Sequence, residues 1–239
     1  EMNTKRKPEY EAPHHTKSGF VNIWGENLEE KATLGNVLRF MYESKTKQAR
    51  LPSKKELAEL LPLSKIDWDT IRGADPGAVQ VTWIGHASFL VQLGGWNILT
   101  DPVFSSRCEP VPYTGPWRYA QLPMRVDELP PIHAVVISHS HYDHLDLGTV
   151  RALGDGPQWF VGLGLAAWFK EVGVTRVTEM DWWQAVRPPD MPGLEIVCAP
   201  CQHWSARTPF DRMKTLWCSW ALRVVDPASA SPPSYAQAP

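Results

Sequence analysis

Ala134-Val135-Val136-Ile137-Ser138-His139-Ser140-His141-Tyr142-Asp143-His144 runs from an apolar, β-branched segment straight into three histidines and a carboxylate. The first four residues have the length and composition of a buried strand. Imidazole and carboxylate are the nitrogen and oxygen ligands that zinc accepts, so His139 to His144, gathered at a strand end, form a metal-site signature. In extended backbone His139 and His141, two apart, point the same way and can grip one metal. Asp143 and His144 come after the chain has turned and can face a second metal.

Immediately upstream, Val79-Val81-Trp83 and Phe89-Val91-Leu93 read as strands separated by Gly85-His86-Ala87-Ser88. Gly94-Gly95 predicts a hairpin turn into a third strand, Trp96 to Leu99, which ends in Thr100-Asp101-Pro102. A carboxylate at a strand end beside a metal loop suits Asp101 to receive the second N–H of a metal-bound histidine. His86, in a glycine-flanked turn, either lines the site or caps the turn. Residues 103–131, rich in proline and aromatics, form a long loop of the kind that serves as a lid or binding surface.

Downstream, the spacing predicts a helix over Leu147–Leu153, a strand over Gln158–Val161, a helix over Leu163–Val172 and a strand over Arg176–Met180. That alternation implies a sheet with helices on at least one face. A further strand, Leu194–Ala199, leads to His203, a candidate third ligand for the first metal. Leu216–Val225 is the last strand-like run.

The ends differ in character. Residues 1–19 are polar and basic and read as a disordered arm in which His14 and His15 are solvated. Residues 20–75 are helical: Leu34, Val37, Leu38, Met41 and Tyr42 share one face, and Ser53 with Glu56 makes a capping box for a short helix over Ser53–Leu61. The apolar face at Leu34–Tyr42 either docks on the domain or rests on a membrane. Residues 76–225 hold the catalytic domain, and 226–239 are a disordered Pro/Ala/Ser-rich tail.

Over 239 residues the net charge is −2, which leaves no footprint for nucleic acid. The hydrophobic content of 43% belongs to a globular chain without a membrane-spanning run. Cys108, Cys198, Cys201 and Cys218 are too few and scattered for a disulfide framework. The C-x-x-C match at Cys198–Cys201 lies at a strand end without a second pair, and reads as ordinary thiols in a reducing compartment.

Taken together, the metal motif, Thr100-Asp101-Pro102 and His203 resemble the metallo-β-lactamase superfamily. Val81-Thr82-Trp83-Ile84-Gly85-His86-Ala87, Leu99 to Arg107, Glu128-Leu129-Pro130-Pro131-Ile132, Glu179-Met180-Asp181-Trp182-Trp183, Gln202-His203-Trp204 and Arg207-Thr208 look like one branch of it. That branch is the family of N-acyl-phosphatidylethanolamine-hydrolysing phospholipases D, and the likeness runs from about Phe20 to Ala221. It implies an α/β, αββα sandwich and two Zn2+ ions, the first on His139, His141 and His203 and the second on Asp143 and His144. It implies that Tyr142 contacts a phospholipid, that Asp143 orients the nucleophile and that Asp101 fixes a histidine tautomer. The reaction implied is hydrolysis of N-acyl-phosphatidylethanolamine to N-acylethanolamine and phosphatidic acid. A homodimer and an intracellular, peripheral membrane location on the cytosolic face are implied too, with the helix around Asn36–Tyr42 facing the membrane.

The family closes its site with a bridging aspartate in a Gly-Asp-Thr-Gly-like turn and a histidine near its C-terminus. Neither has a counterpart here, since Asp226 is the only carboxylate after residue 212. The expectation is therefore a partial sequence holding the first half of the sandwich, with near one zinc at most and negligible activity. Two other readings share the sequence features: a lactonase or nuclease of the same superfamily, and a non-catalytic protein that binds lipid or a partner.

Overall fold

The computed structural model describes residues 12–24, 35, 39, 42, 43, 46, 47, 52–108, 117–208 and 210–229. Its centre is a six-stranded mixed sheet built from β3 (Val79–Gly85), β4 (Ser88–Leu93), β5 (Trp96–Thr100), β6 (Ala134–Ile137), β7 (Gln158–Gly162) and β8 (Val177–Met180), hydrogen-bonded in that order. β3, β4 and β5 pair antiparallel, with Gly94 and Gly95 at φ +60° and +84° supplying the left-handed turn between β4 and β5. From β5 to β8 the pairing is parallel, so the ends of β5 and β6 lie side by side.

Alternation along the strands divides the interior in two. Leu90, Leu99, Val135, Ile137, Trp159 and Val161 face one way, onto a core that includes Ile71 of α2 (Trp68–Arg72), Val150 of α3 (Leu147–Leu153) and Phe169 of α4 (Ala166–Glu171). Ile98, Ala134, Val136 and Phe160 face the other way, onto Leu194, Ile196 and Cys198 of β10 (Leu194–Ala199). β10 is the middle of a second, antiparallel sheet, between β9 (Ala185–Val186) and β11 (Ser219–Val224). β6 is buried along its whole length because it sits between both cores, which is why Ala134–Ile137 is continuously apolar. The result is the expected α/β sandwich, in which the three-stranded sheet packs on one face of the six-stranded sheet and the helices on the other.

A fourth short helix, α1 (Lys54–Leu60), carries the expected capping box, Ser53 and Glu56 each accepting from the other's backbone N–H. Arg39, Tyr42, Glu43 and Thr46 are helical, whereas Leu34, Val37, Leu38 and Met41, which define the apolar face, lie outside the described residues. So do residues 1–11, 109–116 and 230–239. Among the described residues no helix is long and apolar enough to cross a membrane.

Two expectations need correction. Residues 12–24 are not a solvated arm: β1 (His15–Thr16) and β2 (Gly19–Phe20) make a hairpin against the domain. His14, only 3% exposed, stacks on Trp182 and reaches Asp181 at 2.6 Å, while His15 reaches the same carboxylate at 2.8 Å. Polar composition failed as a signal because two paired imidazoles found one carboxylate and a tryptophan face. The C-terminal run also stays attached through 226–229, a turn in which Ser229 takes hydrogen bonds from Arg187.

Candidate metal centre

The candidate residues gather at one rim of the central sheet. Asp101 follows β5, Ser138 to His144 follow β6, His86 occupies the turn from β3 to β4, and His203 lies four residues beyond β10. Parallel pairing brings the first two together, and the antiparallel hairpin returns His86 to the same end.

His139, His141 and His203 point ring nitrogens at one another. His139 Nε2 lies 2.8 Å from His141 Nδ1 and 3.0 Å from His203 Nε2. The hydrogen-bond network assigns the tautomers. Ser138 donates through N and Oγ to the two oxygens of Asp101, both at 2.6 Å, so its Oγ accepts from His139 Nδ1 at 2.8 Å. His139 therefore turns a bare Nε2 into the cluster. The Nε2 of His141 is buried without a partner, so its Nδ1 is the atom engaged there. Burial, then repulsion from the other imidazoles, pushes the pKa of His139 down to about 2. Burial and His203 push His141 down to about 4, and burial lowers His203 as well. Three imidazoles kept neutral with lone pairs converging are the donor set a transition metal takes.

A second group stands beside the first. His86 Nε2 lies 3.0 Å from Asp143 Oδ2, and His144 Nε2 lies 3.7 Å from the same oxygen. His144 gives its Nδ1–H to Asp101 at 2.8 Å, leaving Nε2 bare. Burial works to lower His144, but its hydrogen bond and charge pairing with Asp101 outweigh this and raise it. His86 both lines the site and shapes the turn: its φ is +51°, and its carbonyl accepts from Trp83 Nε1 at 3.0 Å.

Tyr142, between the two groups in sequence, donates its hydroxyl to the carbonyl of Arg207. The Arg207 guanidinium sits 4.3 Å from the Tyr142 ring and donates to the carbonyls of Ser140 and Leu145 at 2.9 and 2.8 Å. Burial lowers its pKa. Arg207 thus clamps the histidine loop, a role its chain position gives no hint of. Asn22 is a second residue that sequence reasoning missed. Its side chain donates to the carbonyl of His203 at 2.8 Å and accepts from the His203 N–H at 3.0 Å.

The centre opens into a cleft of about 730 Å³ walled by His86, Trp117, Arg118, Tyr119, Tyr142 and Trp204. Arg118 anchors itself on the carbonyls of Val103 and Ser105, and burial lowers its pKa. A smaller groove of about 370 Å³, lined by Leu57, Leu61, Leu63, Phe104 and Leu122, shares the Trp117–Ala120 wall.

Sequence comparison matches a β-lactamase superfamily domain to residues 96–230. An uncharacterised protein of Mycobacterium tuberculosis is 42% identical over 152 residues, 62% of this chain and 40% of its own length. N-acyl-phosphatidylethanolamine-hydrolyzing phospholipase D 1 of Caenorhabditis elegans is 36% identical over 199 residues, 79% of this chain and 55% of that one. The chain thus spans between two fifths and just over half the length of these relatives. Among solved structures, an isothiocyanate hydrolase from Delia radicum gut bacteria superposes with a TM-score of 0.48 at 21% identity, over 60% of this chain and 57% of that one.

Proposed function

Because the chain belongs to the β-lactamase superfamily, we propose that it carries the metal-binding part of a zinc-dependent phosphodiesterase of the phospholipase D type. Its substrate is N-acyl-phosphatidylethanolamine, cleaved to N-acylethanolamine and phosphatidic acid at a membrane surface. The observation that carries the reading is the convergence of His139, His141 and His203 beside a cleft with aromatic walls and one half-buried guanidinium, that of Arg118. The 36% identity to the nematode phospholipase supports the choice of lipid.

His139, His141 and His203 hold one metal, with Asp143 and His144 beside them. When bound, zinc supplies Lewis acidity, polarising a phosphoryl oxygen and bringing the pKa of water toward 7. The chain's own groups do the rest. Asp101 keeps the proton of His144 on Nδ1 and so keeps Nε2 available. Asp143, which is half-exposed, orients the attacking water through its carboxylate. Arg118 meets the phosphate charge from the cleft wall, and Trp117, Tyr119 and Trp204 cover acyl methylene groups and exclude water.

The test is N-acylethanolamine release from N-acyl-phosphatidylethanolamine vesicles by the zinc-loaded chain extended with the C-terminal part of a relative. Turnover lost in His139→Ala and in Asp143→Asn supports the assignment. Turnover indifferent to both changes rejects it, and hydrolysis of lactones without phospholipids assigns the site to a lactonase instead.

A further inference from the structure

We propose that His14, His15 and Asp181 bind a divalent transition-metal ion, and that this ion fastens the hairpin of residues 12–24 to the domain. The site shares no residue with the groups at the end of β6, and the hydrolysis proposed above makes no use of it. It joins the N-terminal hairpin to the residue that follows β8.

The donor set comes first. Two imidazole nitrogens and a carboxylate oxygen lie within 4.8 Å of one another. Such donors suit zinc and its neighbours, and three protein ligands leave a fourth position for water. His14 Nε2 stands 2.6 Å from Asp181 Oδ1, and His15 Nε2 stands 2.8 Å from Oδ2. Donors of one zinc lie roughly 3.2–3.6 Å apart, given bonds near 2.1 Å and a tetrahedral angle. The group of His139, His141 and His203, at 2.8 and 3.0 Å, needs a similar slight widening. As the ion enters, each imidazole keeps its proton on Nδ1 and turns the lone pair of Nε2 to the metal.

Hydrogen bonds alone are a weak reason for this convergence. Successive side chains of an extended chain point to opposite faces. His14 lies in the turn that enters β1 and His15 begins the strand, yet both rings reach one carboxylate and meet edge to face at 4.5 Å. His15 is 37% exposed and has water for a partner, and an ion pair so exposed adds little. Asp181 is meanwhile held as a ligand would be. Its Oδ1 accepts from Trp182 N at 2.8 Å, and its own N–H donates to Gln184 Oε1 at 2.9 Å. Burial works to raise its pKa, but the hydrogen bond and charge of His14 and the charge of His15 outweigh this and lower it. His14 stacks on Trp182 at 4.3 Å, and Trp24 stacks on Trp182 at 5.9 Å, so aromatic rings keep water from one side. The side of His15 stays open to solvent for the fourth ligand.

The experiment reads ion count and hairpin opening together. The chelator-stripped chain is titrated with Zn2+, and ions retained after gel filtration are counted by mass spectrometry. Limited trypsin digestion then follows cleavage at Lys17, in the exposed turn of the hairpin. His15→Gln, at a partly exposed position outside both cores, should melt as a folded protein and retain one ion fewer than wild type. His139→Ala should still hold the ion that His15→Gln loses. In wild type, zinc at about 100 times its dissociation constant should slow the Lys17 cut by up to about 100-fold, because binding suppresses opening. In His15→Gln and Asp181→Asn the same zinc should leave the rate unchanged. Plain hydrogen bonds predict otherwise: His15→Gln would speed the cut with or without zinc and retain as many ions as wild type. Equal counts in wild type and His15→Gln, no ion in His139→Ala, or a wild-type cut that zinc does not slow overturns the inference. Each of these leaves the reading of His139, His141 and His203 standing.

Discussion

Asp101 follows β5 with φ +36°, and its two oxygens serve three donors: Ser138 N, Ser138 Oγ and His144 Nδ1. Replacing it by Asn keeps the shape but leaves an amide N–H₂ facing donors. Asp101→Asn should weaken metal binding about 10- to 100-fold at the group containing His144, measured by competition against a graded chelator. The histidines give a pH dependence with a definite sign. His139 and His141 have folded pKa values of about 2 and about 4, below the ordinary 6.5. As pH falls below 6.5 the unfolded chain takes up protons that the folded chain refuses, so the metal-free protein loses stability. For His141 the loss levels off near pH 4, and for His139 near pH 2. Melting temperatures of metal-free protein from pH 7.5 to 4 should fall steadily, and His141→Asn should flatten the curve. At this scale the sequence disclosed every residue whose spacing was itself the signal. His86 stayed ambiguous, Arg207 stood in a family-like stretch without a legible role, and Asn22 was silent, because a single polar residue announces its partner only once distant chain has come to it.

Asp146 shows how an element boundary can organise a site. It caps α3 by accepting from Gly148 N and Thr149 N, and it also accepts from Phe104 N, Ser105 N, Ser105 Oγ and Thr149 Oγ1. One buried carboxylate therefore ties the loop after β5 to the helix that follows the histidines. Asp146→Ala leaves several buried donors unpaired and should cost about 3–5 kcal/mol, read from urea unfolding, whereas Ser53→Ala on the exposed α1 should cost about 1 kcal/mol. The central strands were legible because their alternation matched two buried faces, and β6 because both its faces are covered. β1, β2 and β9 are two residues long, and α2 is five. Segments so short carry no period, and only the domain they dock on defines them.

Across the whole molecule, the sandwich is closed by residues far apart in sequence. Asn22 binds His203 on both sides of its peptide unit and accepts from Trp217 Nε1 at 3.1 Å. Phe20 N donates to Met213 O at 2.8 Å, and a Cβ on Gly19 would lie 2.0 Å from that same oxygen. Asn22→Ala should therefore lower affinity at the His139–His141–His203 group by about tenfold or more with a smaller effect on melting temperature, and Gly19→Ala should release the N-terminal hairpin to proteolysis at Lys17. The order of strands and helices made a sheet with a helical face readable and the resemblance of the motifs implied the sandwich, but this long-range closure was not readable.

The strap formed by residues 12–24 also has a consequence for the order of assembly. Chains are made from the N-terminus, and domains fold as their segments emerge. His14 has to find Asp181, and Asn22 has to find His203 and Trp217, contacts separated by 167 to 195 positions. On the ribosome the histidine loop after β6 is complete while the strap still has nothing to grip. The strap, although made before the strands it docks on, is thus among the last described segments to dock, and the third histidine of the metal group is fixed by Asn22 only after His203 and Trp217 have been released.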